Sequence, residues 1–150
     1  MNLILENANL KDIPALNEIS LKSKSYWGYP EDWLNSWEED LTIGTDHINK
    51  HQTYKLLLEG EIVGFCVIQE NNKEFQITHF WVIPRYIGWG FGKFLMEESL
   101  KKGINSPCKV KVESDPNAEG FYQKFGFKTV SQVESYPKGR YLPVMEMVLN

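Results

Sequence analysis

The sequence predicts an α+β domain: a mixed, mostly antiparallel central sheet of about seven strands with helices flanking it. Three observations predict it. Three β-rich runs follow one another with only short turns between them, the pattern of an antiparallel meander. The third run leads through a glycine-rich turn into a helical pattern. Beyond that helix come a strand, a short helix and two closing strands. No repeat, low-complexity segment or linker interrupts the 150 residues, so 1–150 is expected to be a single domain with its own core.

Residues 3–5 read as a short strand. Ile13, Leu16 and Ile19 mark a helix, with Asp12 as the candidate cap and Pro14 in the first turn, where its missing N–H costs nothing. An aromatic segment follows, from Ser23 to Pro30. Pro30 suits the first position of a second helix, and Glu31 and Asp32 suit its positive end. Trp33, Trp37 and Leu41 are spaced by four and share one face of it, followed by Glu38, Glu39 and Asp40 on the way. Either these tryptophans are core and the acids a solvated face, or aromatics and acids together line a pocket for a cation.

Residues 45–50 read as one further helical turn. The meander spans 53–58, 62–69 and 75–83, broken at Glu59-Gly60-Glu61 and Asn71-Asn72-Lys73. The helix after the glycines runs to about Lys102, with Gly103 as its stop and Lys101 and Lys102 at its negative end. Residues 108–112 form the next strand. Pro116 starts a short helix that Gly126 ends, and strands at 128–134 and 142–149 close the chain around the turn Tyr136-Pro137-Lys138-Gly139-Arg140.

The stretch from Pro84 to Leu95 organises the rest. Gly88, Gly90 and Gly92 alternate with Trp89 and Phe91 between a strand and a helix. The first N–H groups of a helix lack intrahelical partners, the positive end of its dipole lies there, and glycines admit a bulky anion close to the backbone. The stretch therefore reads as a cradle for a phosphate or pyrophosphate, or else as a tight turn with no ligand. A nucleotide P-loop needs Ser or Thr after Gly92-Lys93, where Phe94 stands. A dinucleotide fingerprint needs a third glycine where Lys93 or Leu95 stands.

Other classes are disfavoured. A net charge of −4 without a basic block argues against nucleic acid. No apolar run approaches the roughly 20 residues that span a membrane, and the first residues lack the pattern of a signal peptide. Cys66 and Cys108 sit apart in strand-like runs, as core thiols of a reducing cytoplasm would, and no metal site is expected.

Two motifs at this separation identify a resemblance. Val82-x-Pro84 followed by Ile87-Gly88-Trp89-Gly90-Phe91-Gly92 resembles the acetyl-CoA pyrophosphate loop of GNAT-type N-acetyltransferases. Asn117-Ala118-Glu119-Gly120-Phe121-Tyr122-Gln123-Lys124-Phe125-Gly126-Phe127 resembles their second cofactor motif. With the order of elements, the likeness covers most of the chain. Ile87 departs from the usual Gln or Arg and removes a side-chain donor to the phosphates. A closer likeness, to an uncharacterised branch in which Ile precedes that Gly, rests on residues 23–29, Asp115 to Tyr122 and Gly139-Arg140-x-Leu142-Pro143.

The resemblance implies the acyl-CoA N-acyltransferase fold and direct attack of an amine on acetyl-CoA in a ternary complex. It places the donor on Trp81, Val82, Ile83, Ile87, Gly88, Trp89, Gly90, Phe91, Gly92, Lys93, Asn117 and Phe121. Tyr122 would protonate the departing thiolate, a reasonable transfer from a phenol of pKa about 10 to a thiolate of pKa about 8.5. For the base it leaves three candidates: His79, which would need a bulge to reverse its face of the strand, Glu113, and a water chain. Tyr26, Trp27 and Tyr29 on one side and Arg140 on the other would flank the acceptor, with Arg140 reading a carboxylate or merely pairing with a surface acid. The expected partners are acetyl-CoA and an amine, with a homodimer left open. The alternatives are an acyl-CoA-binding regulatory module without catalysis and a structural domain without cofactor.

Overall fold

A computed structural model describes residues 2–150. Its seven strands lie in the order β1-β2-β3-β4-β5-β7-β6: β1 Leu3–Asn7, β2 Gln52–Leu58, β3 Glu61–Asn71, β4 Glu74–Val82, β5 Cys108–Glu113, β6 Lys128–Glu134 and β7 Tyr141–Leu149. The helices are α1 Ile13–Ser25, α2 Glu31–Ser36, α3 Glu38–Leu41, α4 Thr45–Asn49, α5 Phe91–Gly103 and α6 Glu119–Phe125. The chain forms two compact units, one from the start to Ile68 plus His79–Asn105, the other Gln69–Thr78 plus Ser106–Asn150.

In the first unit β1 and β3 flank β2 in antiparallel register, with a bulge at Leu56/Leu57. The core joins Leu16 and Ile19 of α1 to Ile43, Phe65 and Val67, with Trp81 and Ile83 packed on it. Leu16, Phe65 and Val67 are fully buried, each worth about 1.5–3 kcal/mol of transfer free energy. Helix α5 buries Phe91, Leu95, Met96, Ser99 and Leu100, a stripe of helical period. Gly64 in β3 faces the backbone at the end of β4: a Cβ there would lie 2.6 Å from the Trp81 carbonyl oxygen.

Five local expectations are corrected here. Asp12 does not cap α1; its carboxylate accepts from the Asn9 backbone N–H at 2.8 Å and pairs with Lys55 at 2.9 Å. The predicted second helix is two short ones broken at Trp37, whose φ and ψ of −95° and 1° leave the helical range, and Pro30 stands before its first turn rather than in it. Gly103 is the last residue of α5 rather than its stop. Gly92 lies inside α5, so only Gly88 and Gly90 shape the turn.

In the second unit β4 runs parallel to β5 over Glu74–Ile77 against Lys109–Val112. β7 pairs antiparallel with β5 and with β6, which is exposed along its whole length. Val130 is the extra residue where the β6 register shifts between Thr129 and Ser131. Such a bulge on an exposed edge discourages pairing with another strand. Gly126, at φ 127°, ends α6 as its sequence position predicts.

Candidate active site

The glycine turn has the geometry of an anion cradle. Pro84–Tyr86 form a 3-10 turn closed by the Tyr86 and Ile87 amides on the carbonyls of Ile83 and Pro84. Gly88 and Gly90 then take left-handed φ values of 87° and 84°, conformations that cost other L residues roughly 1–2 kcal/mol. A Cβ at either would meet no atom within 4 Å, so the space over the turn is open. The α5 ladder starts with the Phe94 amide on the Gly90 carbonyl at 3.2 Å, so the amides of Phe91, Gly92 and Lys93 precede it at the positive end of the dipole. Phe91 is 1% exposed and stacks on Tyr86 at 4.9 Å, so only its backbone can meet a ligand. Ile87 and Trp89 are exposed, and Lys93 pairs loosely with Glu97 at 3.8 Å.

The strand feeding this turn ends in Trp81, Val82 and Ile83. The Ile83 amide still donates to Val63 at 2.9 Å, and the Val82 carbonyl accepts from the Ser23 hydroxyl of α1 at 3.3 Å. His79 shares the buried face of β4 with Phe75 and Ile77. Its ring stacks on Phe65 and meets His47 edge-on at 5.3 Å. Nδ1 accepts the Trp81 indole N–H at 3.1 Å, which leaves the other nitrogen to carry the proton. Burial, and then His47, push the His79 pKa down to about 4. The ring is neutral at pH 7 with its lone pair already engaged, a poor arrangement for a base.

The aromatic segment resolves into two groups. Tyr26 and Trp27 are exposed and meet edge to face at 5.1 Å. Tyr29 packs with Trp33 and Trp37 instead, at 5.9 and 5.0 Å. The cation this second cluster attracts comes from the chain: the Lys24 ammonium lies 4.7 Å from the Trp37 ring centre and 5.3 Å from that of Tyr29. Glu38, Glu39 and Asp40 face solvent, so the aromatics and these acids do not form one pocket.

In the second unit, Tyr122 is 5% exposed and packs edge-on to Phe121 and Phe127. Asn117 lies in the 3-10 turn Pro116–Ala118 just before α6, a turn capped by Asp115, whose Oδ1 accepts from the Asn117 backbone at 2.8 Å and side chain at 3.0 Å. Arg140 is turned toward this turn, with Nη2 3.7 Å from Asp115 Oδ2. Glu113 ends β5, is exposed, and sits 3.8 Å from Lys111.

The family model described as an acetyltransferase (GNAT) domain matches residues 33–149. The chain belongs to the GNAT acetyltransferase family. As a GNAT protein it is an acetyl-CoA-dependent N-acetyltransferase, and the amine it acetylates is left open by membership. The chain is similar to the ribosomal protein bS18-alanine N-acetyltransferase of Haemophilus influenzae, 30% identical over 105 residues that cover 65% of this chain and 71% of the relative. Its fold is that of the PaiA N-acetyltransferase of Thermoplasma acidophilum, solved with coenzyme A, at a TM-score of 0.73, 20% identity and coverage of 98% and 99%. It is also that of the ribosomal-protein-S18-alanine N-acetyltransferase of Escherichia coli, at 0.69, 17%, 98% and 94%.

Two residues of this GNAT chain lie in the quoted motifs but drew no role from the sequence. The place of Lys24 carried no signal, because only the folded path of 24–37 brings it to Tyr29 and Trp37. Asp115 had one: an Asp before Pro-Asn is a turn-capping pattern.

Proposed function

We propose that the chain acetylates the α-amino group at the start of a peptide. The observation that carries the reading is the left-handed turn at Gly88 and Gly90 opening directly into α5, in a chain of the GNAT family. The acceptor class is supported by the Haemophilus influenzae relative, named for the alanine of bS18. The exposed Tyr26–Trp27 pair supports it too, as a surface for the residues that follow the amine.

In this reading the first-turn amides of α5, Gly92 and Lys93 among them, hold the pyrophosphate. Ile87 and Trp89 border it. The backbone of Trp81, Val82 and Ile83 takes the pantetheine arm and acetyl group, with Asn117 and Phe121 supporting the arm. A backbone N–H near Val82 facing the acetyl oxygen would supply about 2.7–4 kcal/mol, the range for one oxyanion-hole donor. Acetyl-CoA supplies a thioester whose thiolate is a good leaving group, and Tyr122 gives that thiolate its proton. Glu113, open to water, takes the amine proton through a water molecule in preference to His79.

The same reading treats 1–150 as one catalytic domain, which the match over 33–149 supports, since it runs through both compact units. A cytoplasmic setting is supported by the free thiols Cys66 and Cys108 and by the lack, among the described residues, of a helix long and apolar enough to cross a membrane. The net charge of −4 speaks against nucleic acid as a partner.

The test is release of free thiol from acetyl-CoA with a peptide that begins with alanine, against the same peptide with a blocked N-terminus. Release with the free peptide alone is the expected result. Equal release with both removes the α-amine, and coenzyme A binding without turnover of any amine favours a regulatory module.

A further inference from the structure

The hairpin between β6 and β7 reaches back to the turn that opens α6. Its backbone is tied by the Ser135 amide on the Arg140 carbonyl at 2.8 Å and the Arg140 amide on Pro137 at 2.9 Å. The Gly139 amide donates to Glu134 Oε2 at 3.1 Å. The Arg140 guanidinium is therefore presented from a hairpin braced by its own bonds. Nη1 donates to Ser135 Oγ at 3.2 Å, and Nη2 faces Asp115 at 3.7 Å. Both charged side chains are only 11% exposed. Asp115 uses its other oxygen to hold the backbone and side chain of Asn117. One carboxylate thus joins the arginine to the turn from which α6 and Tyr122 begin. The end of β5 is fixed beside it, through the Ser114 amide on the Pro143 carbonyl at 2.9 Å.

We propose that Arg140 is a positioning residue: through Asp115 it sets the orientation of Asn117 and the start of α6, and it does not read the acceptor. The proposal rests on the functional reading above, in which Asn117 and Tyr122 serve the acetyl donor. A planar fork can address Ser135 and Asp115 at once, which a lysine ammonium on its flexible stem does poorly. Either single change breaks the same Arg140–Asp115 contact, so each should loosen the turn, and loss of both should loosen it no further.

The experiment compares the wild-type chain with Arg140→Met, Arg140→Lys, Asp115→Asn and the double variant Asp115→Asn/Arg140→Met. Coenzyme A is titrated calorimetrically, and acetyl transfer is followed with alanine and with alaninamide, well below each melting temperature. Arg140→Met and Asp115→Asn should each weaken coenzyme A about tenfold and lower kcat for both acceptors alike, by up to about 10²-fold, as misplacement of a reacting group does. The double variant should match the worse single, and lysine should not rescue. The double variant removes both charges of the pair, so it carries the same expectation if a single fails to fold. A lowered melting temperature with unchanged affinity and kcat makes the pair merely structural and overturns the proposal. So do additive losses, and so does a KM rise confined to alanine, which would make Arg140 a reader of the acceptor carboxylate. A wild-type chain that binds no coenzyme A overturns the functional reading first; wild-type binding equalled by Arg140→Met overturns this inference alone.

Discussion

The Trp81 indole donates to Nδ1 of His79 across 3.1 Å on the buried face of β4. Burial, and then the neighbouring His47, keep the imidazole neutral, with its pKa down at about 4 against about 6.5 in an unfolded chain. The unfolded state therefore binds the extra proton first, and stability must fall as pH drops from about 6.5 toward 4 and level off below. The loss attributable to His79 is of order 3 kcal/mol. His47 is also lowered by burial and adds to the slope in the same direction. Urea midpoints between pH 7 and 4 should show this slope in the native chain and a shallower one in His79→Gln. An unchanged slope in that variant would place the acid sensitivity elsewhere.

Gly90 separates strain from occupancy. Gly90→Asp should abolish coenzyme A binding, because the new carboxylate enters the open space over the turn and repels a phosphate. Gly60→Asp is the control: Gly60 has nearly the same φ, 83°, and open space, but lies in the β2–β3 turn. Both variants should lose about 1–2 kcal/mol of stability through the left-handed conformation, and only Gly90→Asp should lose affinity. Calorimetry on both folded variants decides it.

Tyr122→Phe should keep the edge-on packing with Phe121 and Phe127 and lose only the hydroxyl. Coenzyme A affinity should hold while kcat falls on the order of 10²-fold, the pattern of a lost general acid. Full activity would leave Tyr122 as a packing residue.

Lys24→Glu should cost about 2 kcal/mol or more, because it sets an anion against two ring faces that favour a cation. Lys24→Met should cost less, since the apolar chain still fills the space. Thermal melts of the two variants test this order, and Lys24→Glu as stable as the native chain would dismiss the contribution of Lys24 over the Tyr29 and Trp37 rings.

The fold was legible because the local signals agree with it. The meander follows from short turns between β-rich runs, and the α5 stripe from Phe91, Leu95, Met96 and Leu100. The glycine turn was legible too, since left-handed backbone at Gly88 and Gly90 leaves few other residues possible. Tertiary contacts were not. The spacing of Trp33, Trp37 and Leu41 suggested one helix, yet packing against Tyr29 and Lys24 accompanies a break at Trp37. For Arg140 the sequence left a choice between a carboxylate and a neighbouring acid, because Asp115, 3.7 Å away in the fold, stands far from it in sequence. For His79 the strand pattern gives a face, but not the indole N–H that the ring's Nδ1 accepts.

Gly64 has a consequence for how this enzyme can vary. A side chain there would meet the Trp81 carbonyl at 2.6 Å, and backbone oxygen cannot swing aside as a flexible side chain can. Relief would come from moving the end of β4, the segment proposed to align the acetyl group. A Gly64→Ala chain should melt lower, since overpacking of this kind costs roughly 1–3 kcal/mol, and its kcat should decline with it, so a substitution one strand away from the acetyl group would inactivate as an active-site change does.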